Sequence, residues 1–194
     1  TDVIFRLVAE YAQVELGQPI VILNQAGAGG TVGATQVKDA ANDGYTILGG
    51  HDHLITSYIE GIADFTYDAF ETVSLLTTTP NLMVVNSKAP WNSPVEFIEA
   101  AKANPGEYSW AASLGSTSHY FALGILNAGG LTTDDVRIVG TPGTNESITA
   151  VLGEHVDVCQ AQISTAGSYI ESGDLKFLAV AHDERLTQAP DVPT

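Results

Sequence analysis

Cysteine is nearly absent. Cys159 stands alone, so no disulfide can form within the chain, and its place in the apolar stretch 156–163 reads as a small hydrophobe packed in a strand. One thiol leaves the compartment open, since proteins in oxidising surroundings need not use disulfides. Basic residues are scarce too: 7 Lys and Arg stand against 23 Asp and Glu, a formal charge of −16. That balance repels a phosphate backbone and leaves no basic patch to neutralise one, which argues against nucleic acid as a partner. The same excess repels an anionic ligand at long range, so a site for one must rely on short-range donors such as helix N-termini. No run of about 18 apolar residues occurs, and 1–13 read as an amphipathic helix, not as a basic segment followed by an apolar one. The expectation is a soluble chain carrying no address of its own.

What is present suffices for a globular fold. With 194 residues, 44% of them hydrophobic, the chain can bury one large core or two small ones. Apolar positions at helical spacing predict a helix from residue 1 to Leu16, closed by Gly17. The β-branched runs 19–24 and 45–48 read as strands around a glycine-rich turn, 25–30, and a helix, 32–41. A mixed region follows. Further on, strands are expected at 81–85, 108–112, 137–139, 155–160 and 176–181, with helices at 94–103, after 115–119, at 146–152 and at 166–172. Alternating short strands and helices predict parallel βαβ units in an α/β fold of two lobes, 1–84 continued by 182–194, and 85–181.

Three segments carry candidate chemistry. Gly27, Gly29, Gly30 and Gly33 follow an expected strand, with Asp52 about twenty residues on, the setting of a dinucleotide loop. The register is off, however, since the third glycine of that pattern falls on Val32, and a tight turn alone also needs glycines. A nucleotide-dependent α/β enzyme using 27–33 is therefore the alternative reading. His51, Asp52 and His53 offer three metal-ligand types in a row, but neighbours in an extended segment point to opposite sides, so a polar loop at a strand end fits better. Gly115-Ser116-Thr117-Ser118-His119 opens a helix whose N–H groups and partial positive charge suit a carboxylate; its hydroxyls either cap that helix or add donors to a ligand. Neither G-x-S-x-G nor an activating base accompanies these serines, so no catalytic residue is assigned.

Taken in order, Leu16 to Ile20, Asn24 to Gly33, Asp43-Gly44-Tyr45-Thr46, Asn104-Pro105-Gly106, 115–119, Leu152-Gly153 with Val156-Asp157, Gly173-Asp174-Leu175 and 190–194 resemble the tripartite tricarboxylate transporter substrate-binding proteins, the TctC or Bug family. The resemblance implies a periplasmic binding protein-like architecture of two α/β lobes, the first incomplete here because the family's first strand precedes Thr1. It implies a periplasmic, non-enzymatic transport component without cofactor or metal. Such a protein closes on a small carboxylate-containing ligand in an interlobe cleft and delivers it to membrane permease subunits. The ligand class would be a di- or tricarboxylate, an amino acid or an aromatic acid. Family position places Thr1 and Asp2 in one ligand loop, His51, Asp52 and His53 in another, and Ser116, Thr117 and His119 in the second lobe. Gln162 falls where the family often has the second residue of Asp-Asn, and 140–143 replaces its Pro-Tyr-Lys-Gly. A signal peptide upstream is an expectation from the family alone.

Overall fold

A computed structural model of the chain describes residues 2–25, 27 and 30–194, and of Val3 only the backbone. Two compact units emerge, Thr1–Ser74 and Leu75–Thr194. No described helix is long and apolar enough to cross a membrane.

The second unit is built on one five-stranded sheet. Its strands are β1 (Asn81–Asn86), β2 (Tyr108–Ala112), β3 (Val136–Gly140), β4 (Val158–Ala161) and β5 (Leu175–Ala181), in the order β3-β2-β4-β1-β5. Alternation along β1 divides the core: Met83 and Val85 face one way, Leu82 and Val84 the other, and all four are fully buried. The first face packs Trp110 and Val158 against Phe97 and Ala101 of α4 (Pro94–Ala103) and Ala122 and Leu126 of α5 (Thr117–Ala128). The second packs Ala111 and Cys159 against Ile148 and Val151 of α6 (Thr144–Leu152) and Ala166 of α7 (Ile163–Glu171). Helices thus cover both faces, the layering that near-continuous apolar strands require. Burial pushes the Cys159 thiol up to about 12, so it is an inert core residue, as its sequence context implies.

One strand departs from the expected all-parallel sheet. β2 runs parallel to β3 and β4, but β1 is antiparallel to both β4 and β5. Hydrophobic alternation reads the same in either direction, so periodicity does not reveal a strand's polarity. The reversal has a structural effect: β1 begins where its neighbours end, with Leu82 opposite Ala161 and Asn81 opposite Ala181.

The first unit holds α1 (Asp2–Leu16), α2 (Thr31–Lys38), α3 (His53–Ile59) and a 3₁₀ turn (Tyr67–Ala69). Its small core joins Ala34, Leu54 and Ala63. The strands expected at 19–24 and 45–48 do not form. Leu23 is 83% and Tyr45 88% exposed, and no ladder partner for either run occurs among the described residues. A β-branched run becomes a strand only when a neighbour takes up its backbone donors and acceptors. The second correction is α3, where Leu54 and Ser57 bury one helical face in a stretch that reads as an extended loop and mixed sequence.

The expected lobe division at 84/85 and 181/182 is a proposal about the whole protein. Within these residues 75–84 and 182–194 fall with the second unit. β1 pairs there, the Val180 N–H donates to the Pro193 carbonyl at 2.8 Å, and Leu186 and Val192 pack on the second-face core.

Candidate functional site

The second unit gathers donors at the C-terminal ends of its parallel strands. Ser113 follows β2, the segment 141–144 follows β3, and Gln162 follows β4; each strand then leads into a helix, α5, α6 and α7 in turn. β2 and β4 are neighbours, yet α5 lies on one face of the sheet and α7 on the other. Adjacent strands whose connections leave to opposite faces open a crevice at their C-terminal edge, the place where α/β sheets bind ligands. A cavity of about 270 Å³ lies there, lined by Ser113, Ser116, Thr117, Ser118, Gly143, Thr144, Gln160 and Gln162. The lining contains no charged side chain. A larger depression, about 600 Å³, runs along the flank of α6 past Thr149, Leu152 and His155; no helix N-termini converge on it.

Hydroxyl protons in the cavity are largely committed to the protein. Ser116 is the N-cap of α5, accepting from the Ser118 N–H at 3.3 Å, and it donates to the Ser113 carbonyl at 2.7 Å. Ser118 accepts from the Ser113 N–H at 3.0 Å and stands 2.9 Å from the Ser116 hydroxyl oxygen, so its own proton goes to Ser116. Capping therefore accounts for both serines. At α6 the N-cap is Gly143, with no side-chain cap hydrogen bond; the first-turn carboxylate of Glu146 stands near it, its Oε2 3.2 Å from where a Gly143 Cβ would lie. At α7 the Thr165 hydroxyl accepts from the Gln162 N–H and donates to the Gln162 carbonyl, at 3.2 and 3.0 Å. Three helix N-termini around one cavity bring N–H donors and partial positive ends together, the short-range means of holding an anion in an acidic protein; the Glu146 carboxylate offsets part of this at α6.

Of the residues singled out in the sequence, the structure brings Ser116, Thr117 and Gln162 into this cavity. His119 sits one turn along α5 and does not line it; its Nδ1 accepts from the Gly115 N–H at 3.2 Å, which places the ring proton on Nε2. The others belong to the first unit. Thr1 lies outside the described residues, as do Ala26, Ala28 and Gly29 of the glycine-rich turn. Asp2 accepts from Arg6 Nε at 2.9 Å and Asn24 Nδ2 at 2.7 Å, and these bonds, Arg6 first, hold its carboxyl below the usual range. His51 Nδ1 meets Asp52 Oδ1 at 2.8 Å, and its ring centroid is 4.7 Å from that of His53. The half-buried His53 has its pKa lowered by burial and then by His51, which keeps it neutral at pH 7. Gly30 and Gly50 admit that ring closely: a Cβ on Gly30 would fall 2.6 Å from His53 Cδ2. Among the described residues no His, Cys, Asp or Glu cluster of metal-binding size occurs.

Ser118, among the hydroxyls that 115–119 offered, also lines the cavity, whereas Ser113, Gly143, Thr144 and Gln160 were missed as lining residues. A signal for the last was present: Gln160 interrupts an apolar strand, where a buried amide has no packing reason to be.

The chain is similar to known proteins along its full length. The sequence pattern of the tripartite tricarboxylate transporter family receptor, TctC, matches residues 4–194. Protein BugT of Bordetella pertussis is 32% identical over 200 residues, covering 100% of this chain and 60% of its own length. A ligand-free TctC solute binding protein from Polaromonas superposes with a TM-score of 0.88 at 27% identity, over 100% of this chain and 66% of that one. MatC from Rhodopseudomonas palustris, with bound malate, gives 0.76 at 30% identity, over 100% and 66%. The chain thus spans about 60% of the length of the curated relatives it matches.

Proposed function

Because this chain belongs to the tripartite tricarboxylate transporter receptor family, we propose that it is the larger part of a periplasmic solute-binding protein that captures a small carboxylate and passes it to membrane permease subunits. It binds its ligand without transforming it. The observation that carries this reading is the convergence of the α5, α6 and α7 N-termini on one uncharged cavity at the switch point between β2 and β4. The carboxylate takes backbone N–H groups and the Thr117, Thr144 and Gln162 side chains there. A di- or tricarboxylate, an amino acid or an aromatic acid are the candidate classes, and the malate bound to MatC belongs to the first. The nucleotide-enzyme alternative finds no support, since 19–24 forms no strand to lead into the 27–33 loop.

Gly143 gives the decisive test. Its backbone is extended, a conformation any residue adopts, and a Cβ there would meet only Glu146 Oε2, the far end of a long side chain, at 3.2 Å. Gly143→Asp caps α6 with a tethered carboxylate, in the place proposed for the ligand's. Titration calorimetry against a carboxylate panel should show affinity falling by about 10-fold or more, with folding preserved by the new cap. Gly143→Asn, a cap without charge, should weaken binding less. An Asp variant that binds carboxylates like the unaltered chain would refute the site.

A further inference from the structure

We infer that Asn81 and Gln160 form a specificity element of this cavity, favouring carboxylates that carry a hydroxyl or ammonium hydrogen over the same acids without one. The inference rests on the carboxylate site proposed above and names what that site reads beside the carboxylate.

Gln160 is only 2% exposed, yet it lines the cavity. Its Nε2 donates to Asn81 Oδ1 at 2.9 Å, while Oε1 accepts from no donor among the described residues. The reversed β1 makes this pair possible. Met83 is opposite Gln160, so the chain reaches Asn81 at the end of the sheet where the parallel strands deliver their loops. Asn81 Oδ1 takes the amide nitrogen, which leaves the Gln160 oxygen as an acceptor within a site whose helix termini offer donors. That oxygen faces the cavity, and a ligand that covers it without offering a donor leaves it cut off from water and unpaired, at a cost of about 1–3 kcal/mol. A ligand that sets its carboxylate against the helix termini and a donor hydrogen against Gln160 Oε1 satisfies both ends. Its deoxy analogue leaves that oxygen unpaired, and sites built to bond a hydroxyl reject such analogues strongly. Asn81 does not have to touch the ligand. It acts by coupling the two amides: Gln160 presents a donor instead only if Asn81 turns with it.

Calorimetry on the whole chain with matched acids tests this: malate and aspartate against succinate, lactate against propionate, mandelate against phenylacetate. The donor-bearing member of at least one pair should bind about 10-fold tighter or more. Gln160→Leu should bring that pair within about 2-fold by weakening the donor-bearing acid. Asn81→Asp, which can only accept from Gln160, should keep the preference, and Asn81→Leu should lose it. Circular dichroism confirms each fold; should Gln160→Leu misfold, the two Asn81 variants decide alone. Acids that bind with no preference in any pair overturn the inference and leave the carboxylate site standing. A preference that survives Asn81→Leu overturns the positioning role, and binding of no carboxylate overturns the proposed function together with this inference.

Discussion

The two units start from similar apolar patterns and end in different states. In the second, β1 buries four consecutive side chains completely, because strands lie on both sides of it and helices cover both faces. In the first, 19–24 and 45–48 are comparably β-branched, yet Val21, Leu23, Tyr45 and Ile47 lie open to solvent. What separates them is partnership, not hydrophobicity: the peptide groups of a strand must be bonded across to a neighbour before its side chains can be packed away. Burial then follows. The second unit fills its interior with Trp91, Phe97, Tyr108, Trp110 and Phe121 in edge-to-face and tilted contacts, whereas the first gathers Ala34, Leu54 and Ala63.

The largest test of this contrast is a pair of truncations. Trp110 is fully buried between sheet and helices, so Trp110→Ala should destabilise the second unit by about 3–5 kcal/mol, read from urea unfolding followed by circular dichroism. Leu54→Ala should cost about 2 kcal/mol, the low end for its type, because a small core with few neighbours has less packing to lose. Native-state hydrogen exchange should then show protection lost in 2–74 for Leu54→Ala and in 75–194 for Trp110→Ala. Equal loss across both stretches in either variant would mean that they unfold as one, and the contrast would fail.

A finer test uses two aspartates that do the same job in different surroundings. Asp157 accepts from the Ser109 N–H at 2.8 Å and the Ser109 hydroxyl at 2.9 Å, a partly buried link from the start of β4 to β2. Asp43 accepts from the Tyr45 N–H at 3.0 Å in an exposed turn. Asp157→Ala leaves donors short of water and should cost about 1–3 kcal/mol. Asp43→Ala should stay within about 0.5 kcal/mol, since water replaces the carboxylate. Comparable melting-temperature losses in the two variants would show that the first unit shields its turn better than its exposure suggests.

Much of the second unit is legible in the amino-acid sequence for reasons of the same kind. Pro94 at the first position and Ser93 as cap define α4, and the expected bounds 94–103 match it. β2 falls on the expected 108–112 because its apolar run is short and bounded by Gly106 and Gly115. Local signals end there. The antiparallel entry of β1 depends on pairing, the lost strands of the first unit depend on absent neighbours, and α3 depends on one buried face that Leu54 and Ser57 supply. The site divides in the same way. Ser116 and Thr117 were visible because they sit at a helix start and Gln162 through the family resemblance, whereas Gln160 reads as a strand residue and lines the cavity because it stands near the C-terminal end of β4.

The smallest effect comes from strain, and its sign is opposite to the others. α6 ends in a turn where the Glu154 N–H donates to the Val151 carbonyl at 3.1 Å and the His155 N–H to the Ala150 carbonyl at 2.9 Å, a pairing that needs a left-handed residue between. Glycine ordinarily takes that place; here Glu154 holds φ 57, the one non-glycine with positive φ among the described residues. Its carboxylate meets Lys88 in an exposed ion pair, which solvent screens and which therefore compensates little. Glu154→Gly should stabilise the second unit by about 1 kcal/mol, raising its melting temperature by a few degrees. Glu154→Asn should act in the same direction more weakly. Lys88→Met separates the two contributions: if it lowers the melting temperature as far as Glu154→Gly raises it, the ion pair and not the fold holds that backbone in place. The sheet's many partners make the first outcome the expected one, because a turn anchored at both ends by a packed core tolerates a strained residue that an exposed run could not keep.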